Sequence, residues 1–357
     1  MRNIFLNEAG DALRLVDQTL LPNERRLLTL RTQAEIFGAI RRLAVRGAPA
    51  IGITAGYAYY LAAREILPAG GGEAELLRAK AYLEGARPTA VNLAWALTRM
   101  HNAYLRLPGL PAEEQLEALR REAERIYEED AACNRRISEY GLSLLKEGDG
   151  VITHCNAGPL ATSEYGTSLG PLLLSCERGM HIRVFADETR PLLQGARLTA
   201  YELMEAGADV TLICDSMAGV VMQRGWAQAV FVGCDRAAAN GDCANKVGTA
   251  SLAVLAHHYG VPVYFFLPSS TIDLSCPGGE AIAIEEREGR EITDMWYEKP
   301  MAPSGVKTFN PAFDVTPHPL ISGIVTEYGV LRPPFSEGLR RVVKMREQEW
   351  EGRNRDV

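Results

Sequence analysis

Val151-Ile152-Thr153-His154-Cys155 is the first of five short apolar runs whose reading decides the fold of this chain. The others are IRVFAD at 182–187, DVTLICD at 209–215, AVFVGCD at 229–235 and VPVYFFLP at 261–268. Runs this short and this apolar read as strands buried on both faces. Helix-length segments separate them. Repeated strand–helix alternation predicts an α/β fold built on a parallel, doubly wound sheet with right-handed crossovers.

Upstream of Gly148-Asp149-Gly150 the texture is different. Leu13-Arg14-Leu15-Val16 and Arg26-Leu27-Leu28-Thr29-Leu30 read as short extended pieces around a turn at Pro22-Asn23. Helices then dominate. Thr32 and Glu35 have capping-box spacing ahead of a helix that carries Ile36, Phe37, Ile40 and Leu43 on one face. Pro49 suits the first turn of a second helix, Arg87-Pro88-Thr89 precedes a third, with Thr89 as its cap, and a long charge-rich helix runs from Pro111 to about Lys146. The predicted organisation is a mostly helical N-terminal domain over 1–145 and an α/β catalytic domain over 146–357.

Composition narrows the function. The 357 residues contain 47% hydrophobic and 23% charged side chains, an ordinary balance for a folded enzyme. Thirty-eight basic against 45 acidic side chains leave a net charge of −7. That is no footprint for nucleic acid or for an anionic membrane surface. No apolar run approaches the roughly 18–20 residues of a membrane span, and the N-terminus lacks a signal-peptide core. Seven cysteines without a CxxC read as reduced thiols, and so as a cytoplasmic chain.

In open α/β sheets ligands bind beyond the carboxyl ends of the strands. Those ends here are Cys155-Asn156, Asp187-Glu188-Thr189, Asp215-Ser216, Asp235-Arg236 and Ser269-Ser270. Asp215 reads first as a helix N-cap. Cys155 ends a strand and is followed by small residues, so its thiol is a candidate base or nucleophile. A His154–Cys155 dyad is disfavoured, because adjacent strand residues point to opposite faces. Asp235 follows a strongly apolar run, where burial would raise a carboxyl pKa and make a general acid. An ion pair with Arg236 is the structural alternative. For an anion, Arg46-Gly47-Ala48 lies at a helix entry, Arg87 precedes a helix, and Asn245-Lys246 is placed at the opening of KVGTASLAVLAHH. No P-loop, GxGxxG or zinc spacing is present, so the reading includes no metal and no cofactor.

VRGAPAIGITAGY, RPTAVNLAWAL, THCNAGPLAT, ETRPLLQGARLTAYEL, DSMAG, DRAAANGDCANKVGT, PSSTIDL and FNPAFDVTP together make this sequence similar to the methylthioribose-1-phosphate isomerase family. That family shares a superfamily with the regulatory subunits of translation initiation factor 2B. The resemblance runs over nearly the whole chain. It implies a Rossmann-like C-terminal domain, a homodimer, and an aldose–ketose isomerase of methionine salvage acting on a phosphorylated sugar. Carried over by position, the catalytic thiol is Cys155 and the catalytic acid Asp235. The implied substrate contacts are Arg46, Gly47, Ala48, Arg87, Gln194, Asn245 and Lys246. Cys234 departs from the family's Gly-Ala-Asp-Arg, and Ser275–Glu280 from its usual loop. Isomerisation of 5-deoxyribose 1-phosphate, or of ribose 1,5-bisphosphate, is the nearest alternative. A non-catalytic regulatory subunit and a cysteine hydrolase are readings of other classes.

Overall fold

The computed structural model describes residues 2–88 and 90–355, with 351–355 in backbone only. The cap expected from Thr89 lies outside the described residues. The chain forms two compact units, one of Met1–Cys133 with Gly158–Gly166 and one of Asn134–Ala157 with Thr167–Val357.

The first unit opens with a three-stranded antiparallel sheet of β1 (Ile4–Leu6), β2 (Leu13–Val16) and β3 (Leu27–Leu30). Five helices begin after it: α1 (Gln33–Arg41), α2 (Ala48–Ile66), α3 (Glu73–Glu84), α4 (Val91–Leu105) and α5 (Ala112–Leu142), the last crossing the unit boundary. Thr32 caps α1 as expected: its hydroxyl accepts the Glu35 N–H at 3.2 Å, and the Glu35 carboxylate accepts the Thr32 N–H at 3.0 Å. α2 is buried continuously from Ala50 to Ala63. Its small residues allow that, since a Cβ on Gly56 would stand 3.1 Å from Ile126 Cδ1 and one on Gly52 would stand 3.2 Å from the Asn92 carbonyl. Leu13, Leu15, Ile36, Leu93, Leu97 and Ile126 close the core around it.

The second unit is built on a seven-stranded sheet. Its strands are β4 (Gly150–His154), β5 (Arg183–Asp187), β6 (Asp209–Ile213), β7 (Ala229–Gly233), β10 (Val263–Phe266), β13 (Gly323–Thr326) and β14 (Gly329–Leu331). The five apolar runs of the sequence are β4, β5, β6, β7 and β10. The spatial order β14-β13-β10-β7-β4-β5-β6 is parallel except for the β13–β14 pair. Read from β6 and leaving out β14, this is the order 3-2-1-4-5-6 of the doubly wound folds, with its reversal between β4 and β7. Helices α6 (Gly170–Glu177), α7 (Ala200–Glu205), α8 (Ala218–Gln223), α9 (Thr249–Tyr259), α10 (Arg290–Thr293) and α11 (Phe335–Arg355) complete the unit.

A second sheet escapes a reading by apolar runs. β8 (Arg236–Ala238), β9 (Cys243–Lys246), β11 (Ile272–Asp273) and β12 (Phe313–Thr316) form a four-stranded sheet in the order β11-β8-β9-β12. β8 and β9 consist mainly of Ala, Cys, Asn and Lys, which have little intrinsic strand preference. Their pairing comes from the turn at Asn240-Gly241, where Gly241 takes φ 95°.

Candidate active site

β4 and β7 lie side by side at the point where the strand order reverses, and the chain leaves them at Cys155 and at Cys234-Asp235. Cys155 is half-buried and has φ 66°, a left-handed conformation that non-glycine residues rarely adopt. Two threonines hold it there. The Cys155 N–H donates to Thr189 Oγ1 at 2.9 Å, and the Cys155 carbonyl accepts from Thr199 Oγ1 at 2.7 Å. Three loops crowd around Gly233: a Cβ there would meet Ala157 Cβ at 3.0 Å and Asn245 Oδ1 at 3.9 Å. The turn after β4, the end of β7 and the end of β9 therefore pack together.

β7 is buried throughout, yet Asp235 is exposed. The burial that the apolar run suggested for its carboxyl is absent, because the chain turns outward one residue earlier. Its N–H donates to the Ala244 carbonyl at 2.9 Å, which starts the β8–β9 hairpin. Arg236 reaches Asp273 at 3.4 Å. At the family departure, the Cys234 thiol lies 3.6 Å from the Ala244 carbonyl, and burial beside Cys243 pushes its pKa well up, as suits a packing thiol.

Gln194 immediately precedes a π-helical turn, Gly195–Thr199. It is 5% exposed, and its Oε1 has no hydrogen-bond partner among the described residues. A buried acceptor left open in this way is a place for a ligand donor or a water. The turn itself is pressed against β5, since a Cβ on Gly195 would lie 1.7 Å from the Asp187 carbonyl.

Asn245 and Lys246 are buried at the end of β9 and do not open the following helix. α9 begins three residues later, and Asp314 occupies its entry by accepting the Gly248 N–H at 2.7 Å and the Ala250 N–H at 3.1 Å. An internal carboxylate thus takes the place expected for an anion there. Asn245 Nδ2 donates to Thr249 Oγ1 at 3.0 Å. Lys246 Nζ donates to the Ala312 carbonyl at 2.7 Å and lies 4.6 Å from the centre of the Phe313 ring.

Arg46, Gly47, Ala48 and Arg87 belong to the first unit. Gly47 is the N-cap of α2 at φ 91°, and a Cβ on it would stand 2.4 Å from the Ala161 carbonyl. Only glycine fits that position. Arg46 and Arg87 are both half-buried, and the Arg87 carbonyl accepts the N–H of Ala90 at the start of α4.

The sequence reading missed a polar network beneath Cys155. His154 Nδ1 and Asp187 Oδ2 are 2.9 Å apart, His154 Nε2 and the Val247 carbonyl are also 2.9 Å apart, and Asp215 Oδ1 lies 3.9 Å from His154 Nδ1. Burial pushes the Asp187 carboxyl up to about 6. The His154 imidazole resists that burial and shifts upward, because the Asp187 hydrogen bond and the charges of Asp187 and Asp215 favour its cation. With both ring nitrogens engaged, His154 is no base for Cys155. Its donor atoms and those of Asp187 and Asp215 lie within 4.8 Å of one another, so a cation would fit there only by displacing these hydrogen bonds. Asp215 also accepts the Thr189 and Arg190 N–H groups at 2.7 and 2.8 Å, so it fixes a loop and caps no helix by its side chain. The alternation of THC and FADET hinted at these partners, but only the pairing of β4 with β5 brings them together.

The model of the initiation factor 2 subunit family matches residues 44–333. The chain belongs to that family. A relative named methylthioribose-1-phosphate isomerase, from Symbiobacterium thermophilum, is 59% identical over 353 residues, covering 97% of each chain. A family member from Moorella thermoacetica named 5-deoxyribose 1-phosphate isomerase is 51% identical over 331 residues, covering 92% of this chain and 94% of that protein. The crystal structure of 5-methylthioribose 1-phosphate isomerase from Pyrococcus horikoshii superposes with a TM-score of 0.90 at 39% identity, covering 96% of each chain. No helix among the described residues is long and apolar enough to cross a membrane.

Proposed function

We propose that this protein is an aldose–ketose isomerase that converts 5-methylthioribose 1-phosphate into 5-methylthioribulose 1-phosphate, as a cytoplasmic homodimer of methionine salvage. The observation that carries the reading is Cys155, held in a left-handed conformation beyond β4 where the strand order reverses. The names of the family relatives support the substrate class.

The anomeric oxygen of this sugar carries the phosphate, so the ring cannot open as a free sugar does. In the proposed reaction Asp235, in its acid form, gives its proton to the ring oxygen as the C1–ring oxygen bond breaks. Cys155 thiolate removes the C2 proton, and the electron pair forms an enol between C1 and C2. Return of that proton to C1, with loss of the C2 hydroxyl proton to the Asp235 carboxylate, leaves the C2 ketone. Both groups end as they began, and no electrons leave the substrate. Arg46, Arg87 and Lys246 are the proposed phosphate ligands, Gln194 and Asn245 the partners of the sugar hydroxyls, and Gly47 and Ala48 supply backbone at the α2 entry. Deuterium placed at C2 tests the proton path. Partial loss of label to solvent supports the enol route, whereas full transfer of deuterium to C1 points to a hydride shift.

A second reading keeps the chemistry and changes the tail. The 5-deoxyribose 1-phosphate isomerase relative favours it. A pocket distinguishes a methylthio group from a hydrogen by only about 1–3 kcal/mol, so competition between the two sugars under identical conditions ranks them directly.

A further inference from the structure

We infer that Thr199 and Thr189 are positioning residues that hold Cys155 for catalysis, an inference that rests on the reading of Cys155 as the reacting thiol. Each threonine hydroxyl has one proton to give and two lone pairs to offer. Thr189 Oγ1 gives its proton to the Asp187 carbonyl at 3.1 Å, which leaves it to accept from the Cys155 N–H. Thr199 Oγ1 gives its proton to the Cys155 carbonyl and accepts from Asn156 Nδ2 at 3.1 Å. Asn156 Nδ2 is held in turn by Glu202 Oε2 at 2.6 Å. Thr189 and Thr199 are both wholly buried, so no water competes for these bonds.

The two hydroxyls grip Cys155 from opposite sides. One takes its N–H and the other its carbonyl, which fixes the peptide planes on either side of the strained residue. Without them, a cysteine ending a β-strand would relax to extended backbone and re-aim its side chain. The grip has its own supports. Thr189 stands at φ 64°, with its N–H on Asp215 Oδ1, and Thr199 ends the π-helical turn that begins beside Gln194. Such turns are frequent at functional sites. Here one five-residue turn sets both the open acceptor of Gln194 and the clamp on Cys155.

The test replaces Thr199 with Val, which keeps the shape and removes the hydroxyl, and with Ser, which keeps the hydroxyl. Two readouts are taken on the full chain: steady-state kinetics on 5-methylthioribose 1-phosphate, and the rate of iodoacetamide alkylation at each cysteine by peptide mass spectrometry. Exposed Cys214 serves as the internal control. For Thr199→Val we expect kcat to fall about 10–100-fold with KM within about threefold of wild type, since misplacement by an ångström costs that much. Alkylation of Cys155 slows while that of Cys214 does not change, and Thr199→Ser recovers both readouts. If Thr199→Val does not fold, Thr189→Val takes its place with the same expectations. Wild-type kcat and Cys155 alkylation in a folded valine variant would overturn the inference, as would a serine variant as defective as the valine one. Should wild type turn over neither sugar phosphate, the proposed function fails, while the alkylation rates still decide whether the threonines position the thiol.

Discussion

Cys155 and Thr189 both stand at positive φ, 66° and 64°, and a hydrogen bond joins them. Two strained residues in contact at the mouth of a parallel sheet are held by their surroundings, because nothing in their side chains favours that backbone. Replacing Cys155 with Ser keeps the backbone bonds and removes the thiol. Its turnover is expected to fall by at least about 100-fold, with stability close to that of wild type, measured by initial rates and thermal unfolding side by side. The His154–Asp187 pair makes a separate prediction. His154 has a folded pKa above its unfolded value of 6.5, so its contribution to stability is present in full below that pH and is lost as pH rises through the folded value. The stability advantage of wild type over His154→Gln, measured by urea unfolding, therefore shrinks as pH rises above 6.5. At this scale the sequence pointed to Cys155, Asp235 and Gln194 by type and motif. It gave no sign of the threonine clamp, which joins residues 34 and 44 positions apart, nor of the outward turn that exposes Asp235.

The elements divide by how local their causes are. α1 was legible because its cap lies within four residues, and Thr32→Ala should cost about 1 kcal/mol with little effect on activity, measured by chemical denaturation. β4, β5, β7 and β10 were legible because burial on both faces leaves an unbroken apolar run, whereas the edge strand β6 is largely exposed and β13 was not among the five runs. The β8–β9 hairpin was not legible, since its strands are small and polar and its only signal is Asn240-Gly241. Lys246 was accordingly misplaced onto a helix start, when β9 carries it and α9 is capped by a carboxylate from β12, 68 residues onward at position 314. The π-helical turn has no sequence signature, but it can be tested. A methyl at Gly195 would collide with the Asp187 carbonyl at 1.7 Å, so Gly195→Ala should push the turn off β5. We expect it to destabilise the protein by about 1–3 kcal/mol and to lower kcat more than Thr32→Ala does, a contrast read from the same pair of measurements.

Across the whole molecule, five apolar runs sufficed to foresee a doubly wound sheet, because alternation of strand and helix restricts topology to few solutions. They did not specify the strand order, which depends on which strands neighbour each other, and that order puts Cys155 and Asp235 on adjacent strand ends. The N-terminal unit was legible as helical. That Gly158–Gly166 groups with it was not, since a nine-residue return of the chain leaves no mark in composition. A fold shared across the initiation factor 2 subunit family does not by itself assign catalysis. The claim rests on the thiol and the acid together. The measurement that tests it most directly is an isomerase assay of wild type, Cys155→Ser and Asp235→Asn, with 5-methylthioribose 1-phosphate and 5-deoxyribose 1-phosphate compared in parallel. Rapid turnover of the methylthio sugar by wild type, lost in both folded variants, is the predicted result. A wild type that binds either sugar phosphate and converts neither, or variants as active as wild type, would contradict the account.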